Sequence, residues 1–237
     1  YNIGLGSGSL GAITTGDNNI AIGRYALDST TSGNNNVSVG YGTMDANTTG
    51  SSNVAIGRSV LTANTTASNN TGVGYYALVT NTTGAGNVAI GKQALEANTT
   101  AANNVAIGYG AVMTNTTGHS NVGVGTDALT YNTTAHYNTA IGSSSLLRNT
   151  TGTENVGLGF NALNANTTAS YNIALGSQCM AINTTGHSNT AAGNSALYAN
   201  TTGSYNLAFG RSSLGANTTG AGNISVGAST LLTNTTG

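Results

Sequence analysis

The chain is poor in the residues from which most globular domains build their cores and sites. Proline and tryptophan are absent, and charged and aromatic residues each make up 5% of the 237 residues. Because Cys179 is the only cysteine, no disulfide framework exists within the chain. A net charge of -1 excludes the strongly basic surface that nucleic acids and anionic membranes attract. No apolar run approaches the roughly eighteen residues that a membrane span needs.

What the chain has instead is a strict repeat. An asparagine recurs every 17 residues from Asn2 to Asn223, which defines about fourteen copies of one unit. A fixed period of this length is typical of repeat proteins, so we predict a single array over residues 1–237. Neither end differs from the repeat as a capping unit would, and we therefore expect an uncapped fragment of a longer fibre.

Each position of the repeat carries one kind of residue. Counted from the asparagine, positions two to four alternate branched and small residues, as in Val88, Ala89 and Ile90, which predicts a strand. Position five is glycine in every copy, which indicates a turn with positive φ or a close backbone approach. Position nine is leucine in eleven copies, and we expect it to lie in a second short strand after the turn.

Stacking such units predicts an all-β fold, a parallel β-solenoid (β-roll) of about fourteen 17-residue repeats. Each strand would pair with its counterpart one rung away, at about 4.8 Å, so that equivalent side chains form columns along the axis. Asparagine columns at positions one and twelve would then hydrogen-bond along the axis. The apolar columns at positions two, four and nine would form a thin core.

A thin core favours association of several chains. The basic residues, tyrosines and histidines fall on positions six, seven, ten, eleven, sixteen and seventeen, which we interpret as the outer face. Small residues at positions three and eight would provide flat surfaces on which neighbouring rods approach each other.

The aromatic and basic residues at positions six and seven are candidate ligand-binding residues. Exposed aromatic rings beside hydrogen-bonding groups suit contacts with a glycan or a protein. The alternative, left open here, is that these side chains cover a neighbouring chain of a trimer. The candidates are Tyr41, Tyr75, Tyr76, Tyr109, Phe160, Arg24, Arg58 and Lys92.

Twelve Asn-Thr-Thr triplets are formal glycosylation acceptors. Stacked at about 4.8 Å, adjacent glycans would collide, so a buried Asn/Thr ladder is the favoured interpretation and partial modification the alternative. The asparagines are Asn47, Asn64, Asn81, Asn98, Asn115, Asn132, Asn149, Asn166, Asn183, Asn200, Asn217 and Asn234.

The sequence contains few residues that could form a catalytic or metal-binding site. The six acidic residues are scattered over different columns and rungs, without the pairing that glycosidases need. His119 and His136 share position sixteen of successive repeats, but two ligands without a third make a weak metal site. Ser120 beside His119 has no orienting acid, and Cys179 is best interpreted as a small packed thiol. We predict no enzymatic activity, no catalytic residue, no metal and no cofactor.

The string NVAIG and its variants NIAIG (19–23), NVSVG (36–40), NTAIG (138–142) and NLAFG (206–210) resemble the head repeats of YadA-like trimeric autotransporter adhesins. They are also similar to the NTAIG-type repeats of phage-tail-fibre-like proteins. The resemblance covers essentially the whole chain. It implies a left-handed β-roll, assembly of three chains, and a surface that binds host or matrix ligands.

The sequence therefore predicts a non-enzymatic structural fibre segment with an adhesive or receptor-binding surface, located outside the cell, on a cell surface or on a virion. Its expected partners are copies of itself and a host surface glycan or protein, with no nucleic acid and no membrane insertion. One alternative is a self-polymerising, partly glycosylated extracellular filament. Another is an ice-binding solenoid, although adjacent threonines at positions thirteen and fourteen would leave only one threonine column outward.

Overall fold

Positions two to four of every repeat form a three-residue β-strand in the computed structural model, which describes all residues from 1 to 237. The chain divides into two units, residues 1–119 and residues 120–237. The strands of the first unit are β1 (Ile3–Leu5), β2 (Ile20–Ile22), β3 (Val37–Val39), β4 (Val54–Ile56), β5 (Thr71–Val73), β6 (Val88–Ile90) and β7 (Val105–Ile107). The strands of the second unit are β8 (Val122–Val124), β9 (Thr139–Ile141), β10 (Val156–Leu158), β11 (Ile173–Leu175), β12 (Thr190–Ala192), β13 (Leu207–Phe209) and β14 (Ile224–Val226).

Within each unit, consecutive strands pair in parallel and in strict register. Val54 of β4 lies opposite Thr71 of β5, and Val156 of β10 lies opposite Ile173 of β11, a shift of one repeat in both cases. The prediction of an all-β parallel β-solenoid is therefore confirmed for each unit, whereas the single array over 1–237 stays a prediction. The structure contains no helix of the length and hydropathy that a membrane span requires.

Hydrogen bonding between rungs extends well beyond the strands. In the fourth repeat, the backbone N–H of Leu61 donates to the carbonyl of Ala77 at 3.2 Å, and that of Thr65 donates to Thr82 at 3.2 Å. The N–H of Asn69 donates to Ser51 of the preceding rung at 3.1 Å. Because most of the perimeter is tied to a neighbouring rung, few backbone polar groups are left for the interior to satisfy.

The glycine at position five is required for two reasons. Its φ lies between 122° and 137° in all fourteen copies, a region that residues with a side chain rarely adopt. In addition, the backbones of neighbouring rungs meet here, so that a Cβ on Gly57 would lie 2.6 Å from the carbonyl oxygen of Gly74. Both predicted reasons for the glycine are confirmed.

The predicted second strand at position nine is wrong. Positions six to eleven form a turn, and the residue at position nine has left-handed φ, between 48° and 53°, in every copy. This conformation costs a leucine roughly 1–2 kcal/mol. Leu61 and Leu78 are nonetheless fully buried, and burial of such a side chain is worth about 1.5–3 kcal/mol. The inward direction of the side chain thus offsets the backbone strain.

The faces of the strands are the reverse of those expected. The small residue at position three points inward, as Ala55 and Ala89 show with no exposed surface, while Ile56 and Ile90 at position four are 40% and 39% exposed. The prediction that the side chains at positions two and four lie in the core is therefore wrong. Of the three predicted core columns, only the one at position nine is buried. The proposed approach surface at positions three and eight is wrong for the same reason, since both columns are buried inside the rung.

A narrow interior explains this inversion. Position three packs against position eight of the preceding repeat, and a Cβ on Gly72 would lie only 2.5 Å from a methyl group of Val60. In the second unit, the hydroxyl of Ser145 donates to the carbonyl of Gly157 at 2.9 Å, in space that a side chain at 157 would occupy. A branched residue at position three has no room, so the branched residues of the strand face outward.

Two buried asparagine ladders stiffen each rung. At position twelve, Nδ2 of Asn64 donates to Oδ1 of Asn47 at 2.8 Å and to the carbonyl of Ala67 at 3.1 Å. At position one, Nδ2 of Asn53 donates to Oδ1 of Asn36 at 3.2 Å and to the same Ala67 carbonyl at 2.9 Å. The predicted amide ladders are thus confirmed, and both meet on one carbonyl oxygen in each rung.

Replacement of a position-five glycine will destabilise the fold strongly. We expect Gly57→Ala to lower the free energy of unfolding by at least about 3 kcal/mol, because it combines an unfavourable φ with a backbone clash. Gly42→Ala is the matched control, since Gly42 has a φ of 60° and a Cβ there would meet no atom closer than the Ser59 hydroxyl at 4.0 Å. Denaturant unfolding followed by circular dichroism measures both variants, and equal losses would contradict the close approach of the rungs.

Loss of one ladder asparagine is the second test. Asn98 donates to Asn81 at 2.8 Å and accepts from Asn115 at 3.0 Å, so Asn98→Ala leaves buried partners unsatisfied. We expect a loss of about 2–4 kcal/mol in the free energy of unfolding. Thr100→Ala, in the same triplet but exposed, should change stability by less than about 0.5 kcal/mol. An unchanged free energy of unfolding in Asn98→Ala would show that the ladder does not stabilise the fold.

Candidate functional site

The outward residue that follows each position-five glycine forms the most distinctive surface of the first unit. Over six consecutive repeats, position six alternates between a basic residue and a tyrosine. Since register places these side chains one above another, they form a continuous column, which we call the ridge. The ridge consists of Arg24, Tyr41, Arg58, Tyr75, Lys92 and Tyr109, all of them exposed.

Neighbouring members of the ridge contact each other. The guanidinium carbon of Arg58 lies 5.8 Å from the ring centroids of both Tyr41 and Tyr75. The ammonium of Lys92 lies 5.5 Å from the ring of Tyr109. Cation–π attraction over these distances is worth about 0.5–1 kcal/mol at an exposed site, enough to bias the long side chains toward the rings.

Position seven extends the ridge at two places. The ring of Tyr76 stacks on Tyr75 with 4.0 Å between centroids and 26° between planes. Tyr25, which sequence reasoning did not select, accepts a hydrogen bond from Nη2 of Arg24 at 3.1 Å and meets Tyr41 edge-on at 6.4 Å. Tyr25 could have been selected from the sequence, because it lies at position seven of its repeat, as Tyr76 does.

The basic groups of the ridge are not paired with carboxylates. No ion pair involves Arg24, Arg58 or Lys92, whereas the N-terminal amine of Tyr1 pairs with Asp17 at 3.1 Å. The hydrogen bond to Tyr25 raises the pKa of Arg24 further above its usual value. The acids Asp28 and Asp45 lie at position ten, where burial and then the charge of Asp28 raise the pKa of Asp45. The ridge therefore offers its cations to solvent.

The structure brings seven of the eight predicted ligand-binding residues together in the first unit. Phe160, the eighth, belongs to the second unit, where it is 52% exposed. Its neighbours at position six are Ser143 and Ser177, so no cation or second ring lies beside it. Phe160 shares only its repeat position with the ridge.

The asparagines of the Asn-Thr-Thr triplets lie inside the fold. Asn47 and ten of its equivalents have no exposed surface, and only Asn234 in the last rung is partly exposed. The Nδ2 atom, which would carry a glycan, is engaged in the ladder, as in the 2.9 Å hydrogen bond from Asn81 to the Gly84 carbonyl. The folded rungs therefore do not present these eleven asparagines for modification.

The side chains that could bind a metal ion are dispersed over the structure. Nowhere do three or more His, Cys, Asp or Glu side chains come close enough together to hold a metal ion. Cys179 is buried, its thiol donates to the carbonyl of Ala191 at 3.4 Å, and burial raises its pKa to about 12. Such a thiol is the packed, unreactive kind, as its position in the repeat predicted.

In each unit, the outward side chains of the strands form a second surface, which we call the aliphatic face and which consists of positions two and four. In the first unit its exposed members include Ile22, Ile56 and Ile107, each 37–40% exposed. In the second unit Leu158 is 45% and Phe209 is 59% exposed. Contiguous apolar surfaces of this kind mark interaction sites in soluble proteins.

Comparison with known proteins adds no relative. No family model matches the chain, and neither the curated proteins nor the solved structures contain a significant match.

Proposed function

We propose that the chain is a non-enzymatic structural fibre segment with an adhesive surface, of the kind found in adhesin heads and tail-fibre shafts. The observation that carries the proposal is the ridge, where solvent-exposed rings and unpaired cations alternate over six rungs. Tyrosine and arginine are among the residues enriched at the hot spots that carry most of the binding energy of protein interfaces. The partner is a host surface glycan or protein.

The aliphatic face supports assembly of several chains. Position four exposes a branched or aromatic side chain on ten of the fourteen rungs, and covering this column with another copy would remove it from water. Stable assembly would also compensate for an interior in which position nine is the one column of large apolar side chains. The proposal is a trimer of left-handed β-rolls, located outside the cell on a cell or virion surface, as the resemblance to YadA-like head repeats implies.

The two rival functions have weaker support. The threonine at position fourteen is exposed on most rungs, whereas the hydroxyl at position thirteen donates to the next rung, as Thr48 does to Thr65 at 3.0 Å. A single outward column offers ice a line of hydroxyls rather than a plane. A self-polymerising filament would use the same aliphatic face or the rung edges, and the size of the assembly separates it from a trimer.

Charge on the aliphatic face should break the assembly without unfolding the rungs. The unmodified chain is expected to show three times the mass of one chain by light scattering after size exclusion. Ile56→Lys with Ile90→Lys should show the mass of one chain with unchanged circular dichroism, because lysines buried at an interface are costly. Thr66→Lys with Thr100→Lys adds the same charges to the same rungs on another exposed column and should stay assembled.

A single-chain mass for the unmodified protein would overturn the trimer, and very large assemblies would favour the filament.

Removal of the rings tests the adhesive surface. In a triple variant, Tyr41→Ser, Tyr75→Ser and Tyr109→Ser, each serine is a residue that position six already accepts at Ser143. We expect at least about a tenfold loss of affinity for whichever member of a glycan and matrix-protein panel the unmodified chain binds, since aromatic anchors contribute 1 kcal/mol or more each. Phe160→Ser is the control and should bind normally. Equal binding by both variants would place adhesion elsewhere.

A further inference from the structure

The spacing of the charges along the ridge carries information about its ligand. Arg24, Arg58 and Lys92 are separated by 34 residues each, which is two rungs. At about 4.8 Å per rung, successive cations are about 9.6 Å apart along the axis. A tyrosine occupies the rung after each cation, so the rings repeat at the same interval. The ridge is thus a linear pattern with a period of two rungs.

A matching ligand must also be linear and must alternate an anionic with an uncharged unit. A pyranose in an extended, equatorially linked chain has roughly the length of one rung, and a disaccharide roughly that of two. A polysaccharide with one carboxylate in every disaccharide would set each carboxylate against a cation. The intervening neutral sugar would then lie against a tyrosine ring, whose face suits the apolar side of a sugar.

The charge balance of the first unit favours a sparsely charged polymer over a dense one. Its sequence holds three basic and four acidic side chains. Asp28, Asp45 and Glu96 lie at position ten, four residues after the ridge position of the same repeat. A nucleic acid carries a phosphate every 3.4 Å or so along each strand, which matches neither the spacing of the cations nor this balance. A polymer with one anion per two rungs matches the spacing of the cations. It brings no excess negative charge that the nearby acidic side chains would repel.

We propose that the ridge binds a linear acidic polysaccharide that carries one carboxylate per disaccharide, an inference that rests on the adhesive function proposed above. Arg24, Arg58 and Lys92 bind the carboxylates, and Tyr41, Tyr75 and Tyr109 bind the neutral sugars. The cations already lie over the rings, so ligand binding requires rotation of exposed side chains and no change in the rungs.

The test uses the full chain and immobilised hyaluronan, which has one carboxylate per disaccharide. We expect binding that weakens as salt is added. Binding should fall at least roughly tenfold on carboxyl-reduced hyaluronan, because three exposed ion pairs are lost together. Arg24→Gln, Arg58→Gln and Lys92→Gln combined should cause the same loss, whereas Arg148→Gln with Arg211→Gln, in the second unit, should not. Polygalacturonate, with a carboxylate on every sugar, should bind more weakly than hyaluronan.

The outcomes separate this inference from the proposed function. Equal binding of native and carboxyl-reduced hyaluronan would overturn the acidic ligand while retaining a carbohydrate surface. Equal or tighter binding of polygalacturonate, or displacement of hyaluronan by single-stranded DNA at equal concentration, would overturn the two-rung spacing. If hyaluronan fails to bind while another member of the panel binds through the tyrosines, the inference falls and adhesion stands. If nothing in the panel binds, both fall.

Discussion

The register of one rung on the next is the constraint from which the rest of the structure follows. Backbone groups of the strand, the turn and the Asn-Thr-Thr segment all hydrogen-bond to residues about one repeat away, so no segment can shift without breaking bonds in the others. A shift of one residue would also invert the strand faces and place Ile56 in the interior. Contact between the position-five glycines enforces the same spacing through the backbone itself.

Strict register has a cost in core size. Equivalent side chains must stack directly on each other, and a 17-residue rung encloses little more than one leucine and two small residues. Buried amide ladders replace much of the missing apolar core. Each asparagine is stable there because its donors and acceptors are shared with neighbouring rungs and with one backbone carbonyl. Most of the stabilising contacts thus lie between neighbouring rungs rather than within one rung, as is usual in solenoids.

The strict register also means that residues on the outer surface can vary without changing the frame. Position six follows the glycine on every rung, so any residue placed there is presented at a regular interval on an almost unchanging frame. The first unit has alternating cations and rings there, while the second unit has small polar residues at the same position, except for Phe160, Arg211 and Ala228. We therefore expect specific function at the residues that differ between repeats, whereas the shared residues build the scaffold.

The sequence by itself determined the repeat, the strand at positions two to four, the need for glycine at position five, the asparagine ladders and the outward place of the ridge residues. Each follows from a local pattern with one physical interpretation. It did not determine which side of the strand faces inward, because alternation is the same pattern when inverted. Nor did it reveal the left-handed turn at Leu61, which leucine disfavours locally and which only burial stabilises. The tertiary structure decided both through the width of the rung, and it alone brought Tyr25 between Arg24 and Tyr41.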